Sequence, residues 1–309
     1  MSDVGSTRSF TIVPVGDFSL TESALFGFGQ RMDAGEAPYD GVMRLAFCLD
    51  DYSGQVGVEL RQDDTGVEAV VHGSGDLEAI ERQVARVLSL DQDSRSFADV
   101  GRRDPVIGAL QAAAPGLRPP LFYSPYEATV WSVLSARRPG MQMATVRAAL
   151  SEAHGATFDL AGQRLAALPT PSQLLAVEAF PGIDADRLSR IHGVAQAALD
   201  GLLDVERLRA LDTETAMAEA QRIKGIGPFY ATLIIIRATG RTDALATNEP
   251  RLRALVRDLY QLPHDPTEAE LETIAAPWRP WRTWTTVLIR AAGPRVLSPS
   301  FAPSPPART

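Results

Sequence analysis

Two stretches of the chain carry chemistry by residue type and spacing. The first is Arg222-Ile-Lys-Gly-Ile-Gly-Pro-Phe-Tyr-Ala-Thr-Leu-Ile-Ile-Ile-Arg237. It reads as the end of a helix, a tight Gly-x-Gly hairpin and a second helix. Glycines let backbone N–H groups approach an anion closely, and the second helix turns its positive dipole end the same way. The amides of Gly225, Ile226 and Gly227, with Lys224 beside them, form a device for gripping a nucleic-acid phosphate. The second stretch is Asp243-Ala-Leu-Ala-Thr-Asn-Glu-Pro-Arg-Leu-Arg253. It is a polar turn entering a third helix, and it presents one acidic side chain, Glu249. Pro250 suits the first helical position, which places Glu249 near the N-cap.

The elements that position these residues follow from periodicity. Ser9–Val15, Val42–Leu49, Val56–Gln62 and Val67–His72 read as strands separated by Asp/Gly turns. Ser19–Met32 reads as a helix, and Asp76–Leu90 as an amphipathic one with Leu77, Ile80, Val84 and Leu88 on one face. From Asp104 onward the pattern is helical with short loops. The helical segments are Pro105–Ala114, Ser124–Leu134, Met143–Gly155, a start at Thr170, Asp184–Leu202, Val205–Ala210, Asp212–Arg222, Tyr230–Thr239, Thr267–Ala275 and Pro280–Ala292. The expected fold class is α+β: a small antiparallel-sheet subdomain over residues 1–95, packed on a larger all-helical domain over 96–296. A Pro/Ser/Ala-rich tail over 297–309 reads as disordered.

Composition narrows the function classes. No run of about twenty apolar residues exists, so no membrane partner is expected. The N-terminus lacks a signal pattern, which implies a cytoplasmic chain. Cys48 is the only cysteine, which excludes an internal disulfide and a four-cysteine metal or iron–sulfur site. His72, His154, His192 and His264 show no metal spacing. The net charge is −8, unevenly spread: residues 1–100 hold 7 basic against 18 acidic side chains, the remainder 23 against 20. Any polyanion contact therefore belongs to the second part of the chain, whose only lysine is Lys224, and a salt-sensitive grip is expected. Nothing calls for an obligate partner subunit, and a monomer is expected.

The hairpin, its Gly/Pro continuation and the acidic residue resemble the helix-hairpin-helix DNA glycosylase superfamily, most closely the 3-methyladenine DNA glycosylase II type. Pro125-Tyr-Glu127, Phe180-Pro-Gly-Ile183 with Arg187, and Trp278-Arg-Pro-Trp-Arg282 support the resemblance by their order, and it covers nearly all of residues 10–295. It implies a base-excision repair enzyme that flips a damaged, typically alkylated, base out of DNA and hydrolyses its N-glycosidic bond.

The resemblance also assigns roles. An aspartate of the family stands where this chain has Glu249. Its carboxylate would stabilise the oxocarbenium character of the sugar and orient water. The extra methylene moves the carboxylate by roughly 1.5 Å, and misplacement on that scale costs on the order of a hundredfold in rate. Asn248 is a lesser candidate for orienting water. Bifunctional relatives carry a Schiff-base lysine where this chain has Phe229, so a monofunctional enzyme is implied. A loop of relatives that wedges into DNA corresponds to Leu134-Ser-Ala-Arg-Arg-Pro139, where Arg137 and Arg138 would contact DNA or serve only as a solvated helix end. Phe229, Trp284 and Arg290 are the expected base-pocket residues, Arg290 standing where some relatives stack a tryptophan on the lesion. No cofactor is required. A Na or K ion would be held by the main-chain carbonyls of Gln221, Ile223 and Gly225. The departures at Glu249, Ala136 and Arg290 keep open an alternative, a catalytically weak or inactive DNA- or damage-binding protein on the same scaffold.

Overall fold

The computed structural model describes residues 8–26, 39–247 and 249–298. The elements run β1 (Arg8–Ile12), α1 (Leu20–Phe26), β2 (Met43–Cys48), β3 (Gln55–Asp63), β4 (Gly66–His72), α2 (Leu77–Val87), α3 (Ala98–Arg103), α4 (Pro105–Ala113), α5 (Pro125–Ser135) and α6 (Gly140–His154). They continue with β5 (Thr157–Leu160), β6 (Gln163–Ala166), α7 (Pro171–Leu175), α8 (Ala185–Leu199), α9 (Val205–Ala210), α10 (Thr213–Gln221), α11 (Pro228–Thr239), α12 (Pro250–Leu259), α13 (Glu268–Ile274) and α14 (Arg282–Val296). The architecture is α+β, as the sequence implies. Among the described residues no helix is long and apolar enough to cross a membrane. The helix expected over Ser19–Met32 is described only as α1, its later residues lying outside the described ones, as do Asn248 and residues 299–309.

Two compact units form. The first comprises the described parts of Met1–Val13, Gly27–Asp91 and Pro120–Gly240. Its sheet is antiparallel throughout, in the order β1-β4-β3-β2. The helical stretch is interrupted by the β5–β6 hairpin, which the helical reading passes over. Its turn residues Ala161 and Gly162 both take positive φ, and Phe158 and Leu160 alternate with polar residues. That is a two-residue hairpin signal too short to stand out beside long helices. The hairpin lies so close to β3 that a Cβ on Gly57 would sit 2.7 Å from the Phe158 ring. Arg44 holds the hairpin by donating to the carbonyls of Leu160 and Ala161.

Helices α5, α8, α10 and α11 enclose the main core of this unit around Leu134, Ile191, Val194, Ile234 and Ile235. The Pro125-Tyr-Glu127 stretch is structural. The Tyr126 hydroxyl donates to the Pro169 carbonyl at 2.8 Å, and buried Glu127 accepts from the Cys48 amide and from Arg147. Burial pushes the Glu127 carboxyl above its ordinary range, and the Arg147 guanidinium opposes that shift.

The second unit comprises the described parts of Pro14–Phe26, Gln92–Pro119 and Arg241–Thr309. Helices α4, α12 and α14 bury Ile107, Leu110, Leu252, Val256, Leu288 and Ile289 with the three tryptophans Trp278, Trp281 and Trp284. Trp278 donates its indole N–H to Asp104, the residue whose other oxygen caps α4. Fully buried Arg118 donates to the carbonyls of Val15, Gly16, Asp17 and Gln92.

Arg118 thus ties segments far apart in sequence. Hydrogen bonds to a charged group contribute about 1.5–3 kcal/mol each, so several carbonyls losing their donor together is costly. Arg118→Met is expected to lower unfolding free energy by at least about 3 kcal/mol, read from urea denaturation. A loss below about 1 kcal/mol would show that the guanidinium is not a structural clamp.

Candidate functional site

The hairpin belongs to the first unit. Ile223 and Ile226 point into the core, each 5% exposed, while Lys224, Gly225 and Gly227 are exposed. This in–out order anchors the turn by two buried side chains and leaves the glycine backbone in solvent. Gly225 has φ +99°, in the region that glycine favours. Gly227 is the N-cap of α11, with Pro228 in the first turn and no side chain capping the helix. The Ile226 amide donates to the Ile223 carbonyl at 3.0 Å. Among the described residues, the amides of Lys224, Gly225 and Gly227 are hairpin donors left open. Arg190 of α8 lies beside the turn: its Cδ would be 3.5 Å from a Cβ on Gly225, and its Nη2 pairs with Asp186 at 2.7 Å.

The Arg137 loop belongs to the same unit. Arg137 takes φ +57° and is exposed, as is Arg138, which pairs with Asp184 at 3.5 Å. Arg187, one helical turn before Arg190, closes the end of α5 by donating to the carbonyls of Val133, Leu134 and Ala136. Its side chain answers the orphan carbonyls of that helix end. α8 therefore holds the loop, and its Arg190 stands beside the hairpin.

Glu249 belongs to the second unit. It sits at the N-cap of α12 with Pro250 in the first turn, but its side chain does not cap the helix. Instead Oε1 accepts from Arg290 Nη1 at 2.7 Å, with the Glu249 side chain 15% and the Arg290 side chain 33% exposed. The turn leading to it is pinned by the start of α14. Arg282 donates through Nε to Asp243 Oδ1 at 2.7 Å and through Nη2 to the Asp243 carbonyl, and the Thr283 hydroxyl exchanges hydrogen bonds with the main chain of Ala244. One helix thus fixes the approach to Glu249 at its first turn and holds the carboxylate two turns later.

The remaining residues named from sequence lie apart in character. Phe229, in the first turn of α11, is 48% exposed with its ring edge-on to Tyr230. Trp284 is a core residue of the second unit, 3% exposed against Phe97, Trp281 and the Arg118 guanidinium. Three residues escaped notice as site elements. Arg187 and Arg282 stand inside recognised motif pieces, but nothing in their spacing says which carbonyls or carboxylates they meet. Arg190 has only an Asp186 four residues earlier to mark it. Among the described residues no cluster of His, Cys, Asp or Glu could hold a metal ion.

The fold is that of the helix-hairpin-helix DNA glycosylases. The 3-methyladenine DNA glycosylase of Archaeoglobus fulgidus superposes with a TM-score of 0.75 at 18% identity, over 93% of this chain and 98% of that one. An 8-oxoguanine glycosylase/lyase of Clostridium acetobutylicum, solved with double-stranded DNA, gives 0.65 at 15% identity over 90% and 92%. Sequence relatives carry names of DNA-repair enzymes. A Bacillus subtilis protein named DNA-3-methyladenine glycosylase is 23% identical over 210 residues, 65% of this chain and 68% of its own length. A Mycobacterium tuberculosis protein named probable bifunctional transcriptional activator/DNA repair enzyme AlkA is 26% identical over 224 residues, 71% of this chain but 44% of that protein. No family model matches the chain.

The two hairpin glycines are expected to respond differently to a methyl group. Gly225→Ala forces a side chain into a left-handed conformation and should cost about 1–2 kcal/mol. Gly227 has φ −90° and nothing within 4 Å of a Cβ, so Gly227→Ala adds no backbone strain and should lose only the N-cap preference of Gly over Ala, less than about 1 kcal/mol. Equal losses in urea denaturation would contradict this assignment of strain.

Proposed function

We propose that the chain is a monofunctional DNA glycosylase of base-excision repair that hydrolyses the N-glycosidic bond of damaged, alkylated bases. The observation that carries the reading is the hairpin: two buried isoleucines hold open glycine amides at the start of α11, on a fold shared with DNA glycosylases. Gly225 and Gly227 amides, with Lys224, would hold one phosphate, and Arg137 with Arg138 would hold or enter the strand nearby. Arg290, beside Glu249, remains a proposed neighbour of the extruded base, and Phe229 an exposed aromatic that would meet DNA from the first unit, whereas Trp284 is a core residue and is no longer proposed to touch a base. Glu249 would stabilise the sugar as the bond to the base breaks and orient the water that replaces it. Phe229 supplies no amine where a Schiff base would form, so water is the nucleophile. The carbonyls of Gln221, Ile223 and Gly225 fit a monovalent cation: those of Gln221 and Gly225 have no donor among the described residues, and that of Ile223 has a lone pair left after its bond from Ile226.

One observation favours the alternative of a weak or inactive DNA binder: the Glu249 carboxylate already has a countercharge in Arg290. Single-turnover base release from alkylated duplex DNA separates the two readings. Wild type is expected to release base and Glu249→Gln to be slowed by at least about a hundredfold, the scale on which a single transition-state stabiliser acts. DNA bound without release by either protein would leave the binder. In titrations across salt concentrations, Lys224→Ala should weaken DNA binding and reduce the salt slope by about 1. Gly227→Ala should weaken binding while leaving the fold intact.

A further inference from the structure

The Glu249–Arg290 contact gives the site an order of charges, and that order matches one class of base. Resting on the glycosylase reading above, we infer that Arg290 selects neutral damaged bases, which leave the sugar as anions, over cationic alkylated bases, which leave as neutral molecules. When the C1′–N bond of a neutral nucleotide breaks, its electron pair departs with the base. The sugar becomes positive and the base negative. Water then adds its oxygen to C1′ and loses a proton to the carboxylate or to solvent, and the departed base takes up a proton. With Glu249 beside the sugar, Arg290 on the base side of the carboxylate would mirror that transient dipole with opposite signs.

A cationic base presents the opposite problem. Its positive charge is there before bond breaking and passes to the sugar during it, so the guanidinium opposes the substrate throughout. Arg290 is also equipped to donate. Glu249 is its only partner among the described residues, met through Nη1 alone, and a guanidinium has five N–H groups. Its side chain is 33% exposed, so the remaining donors are not enclosed by protein. The contact is also short and part-buried, where charges act more strongly than in water.

The test is single-turnover release from three duplexes carrying 7-methylguanine (cationic), 1,N6-ethenoadenine (neutral and alkylation-derived) or hypoxanthine (neutral and deaminated). Each rate is divided by the uncatalysed rate of the same lesion. Wild type is expected to accelerate at least one neutral base at least tenfold more than 7-methylguanine. Arg290→Gln should lose most of that preference by slowing the neutral base and sparing or speeding the cation, whereas Arg290→Lys, which keeps the charge, should retain it. Thermal melting of each variant separates loss of selectivity from loss of fold. Equal or greater acceleration of 7-methylguanine by wild type overturns the inference and leaves the glycosylase reading standing, as does a preference unchanged in Arg290→Gln. Release from none of the three duplexes overturns both.

Discussion

A helix leaves its first N–H groups without partners, and the chain answers that constraint almost everywhere with a nearby side chain. Asp, Ser or Thr side chains accept from the first turns of α2, α4, α5, α7, α8, α9, α10 and α13. Ser19 does so for α1, α14 begins against Thr242 and Asp243, and α3 continues a 3-10 turn. Besides α3 and α14, whose N-cap side chains make no such bond either, three helices start without a side-chain cap: α6 behind Pro139, α11 behind Gly227 and α12 behind Glu249. These follow the Arg137 loop, the hairpin and the acidic turn. Where the fold leaves a helix start open, the sequence has placed the residues with the clearest chemistry.

Arginine does much of the structural work, which changes how the charge balance should be read. Arg44, Arg86, Arg118, Arg187 and Arg237 spend their guanidinium groups on main-chain carbonyls. Others stand in exposed pairs such as Arg95–Asp93 and Arg257–Asp265, worth little to stability and already neutralised locally. The positive excess outside the first hundred residues is therefore not a measure of charge available to a polyanion. Lys224, exposed beside open backbone, is one cation that remains available.

The fold was legible in the sequence where periodicity is long and turns are chemically marked. The strands of the first sheet, with their Asp/Gly turns, and the helices around the hairpin are of this kind. The β5–β6 hairpin was lost because four-residue strands carry too little pattern against flanking helices. The hairpin and Glu249 were legible because glycine spacing and a Pro at the first helical position are local signals. The Arg290 contact was not. It joins residues 41 positions apart, and the tie of Arg282 to Asp243 spans 39. Such pairings depend on how α12 packs on α14, which no local spacing encodes. Trp284 shows the converse: an aromatic on a helix suggests a ligand surface as readily as a core, and only its burial against Phe97 and Trp281 decides where it stands.

Helix α8 carries Arg187 and Arg190 one turn apart, a rise of about 4.5 Å along a rod of fixed pitch. One closes the helix end behind the Arg137 loop, and the other lies over the hairpin. The loop thus has a bonded mount on α8 and the hairpin a neighbour on it, at a spacing that the pitch of one unbroken helix fixes.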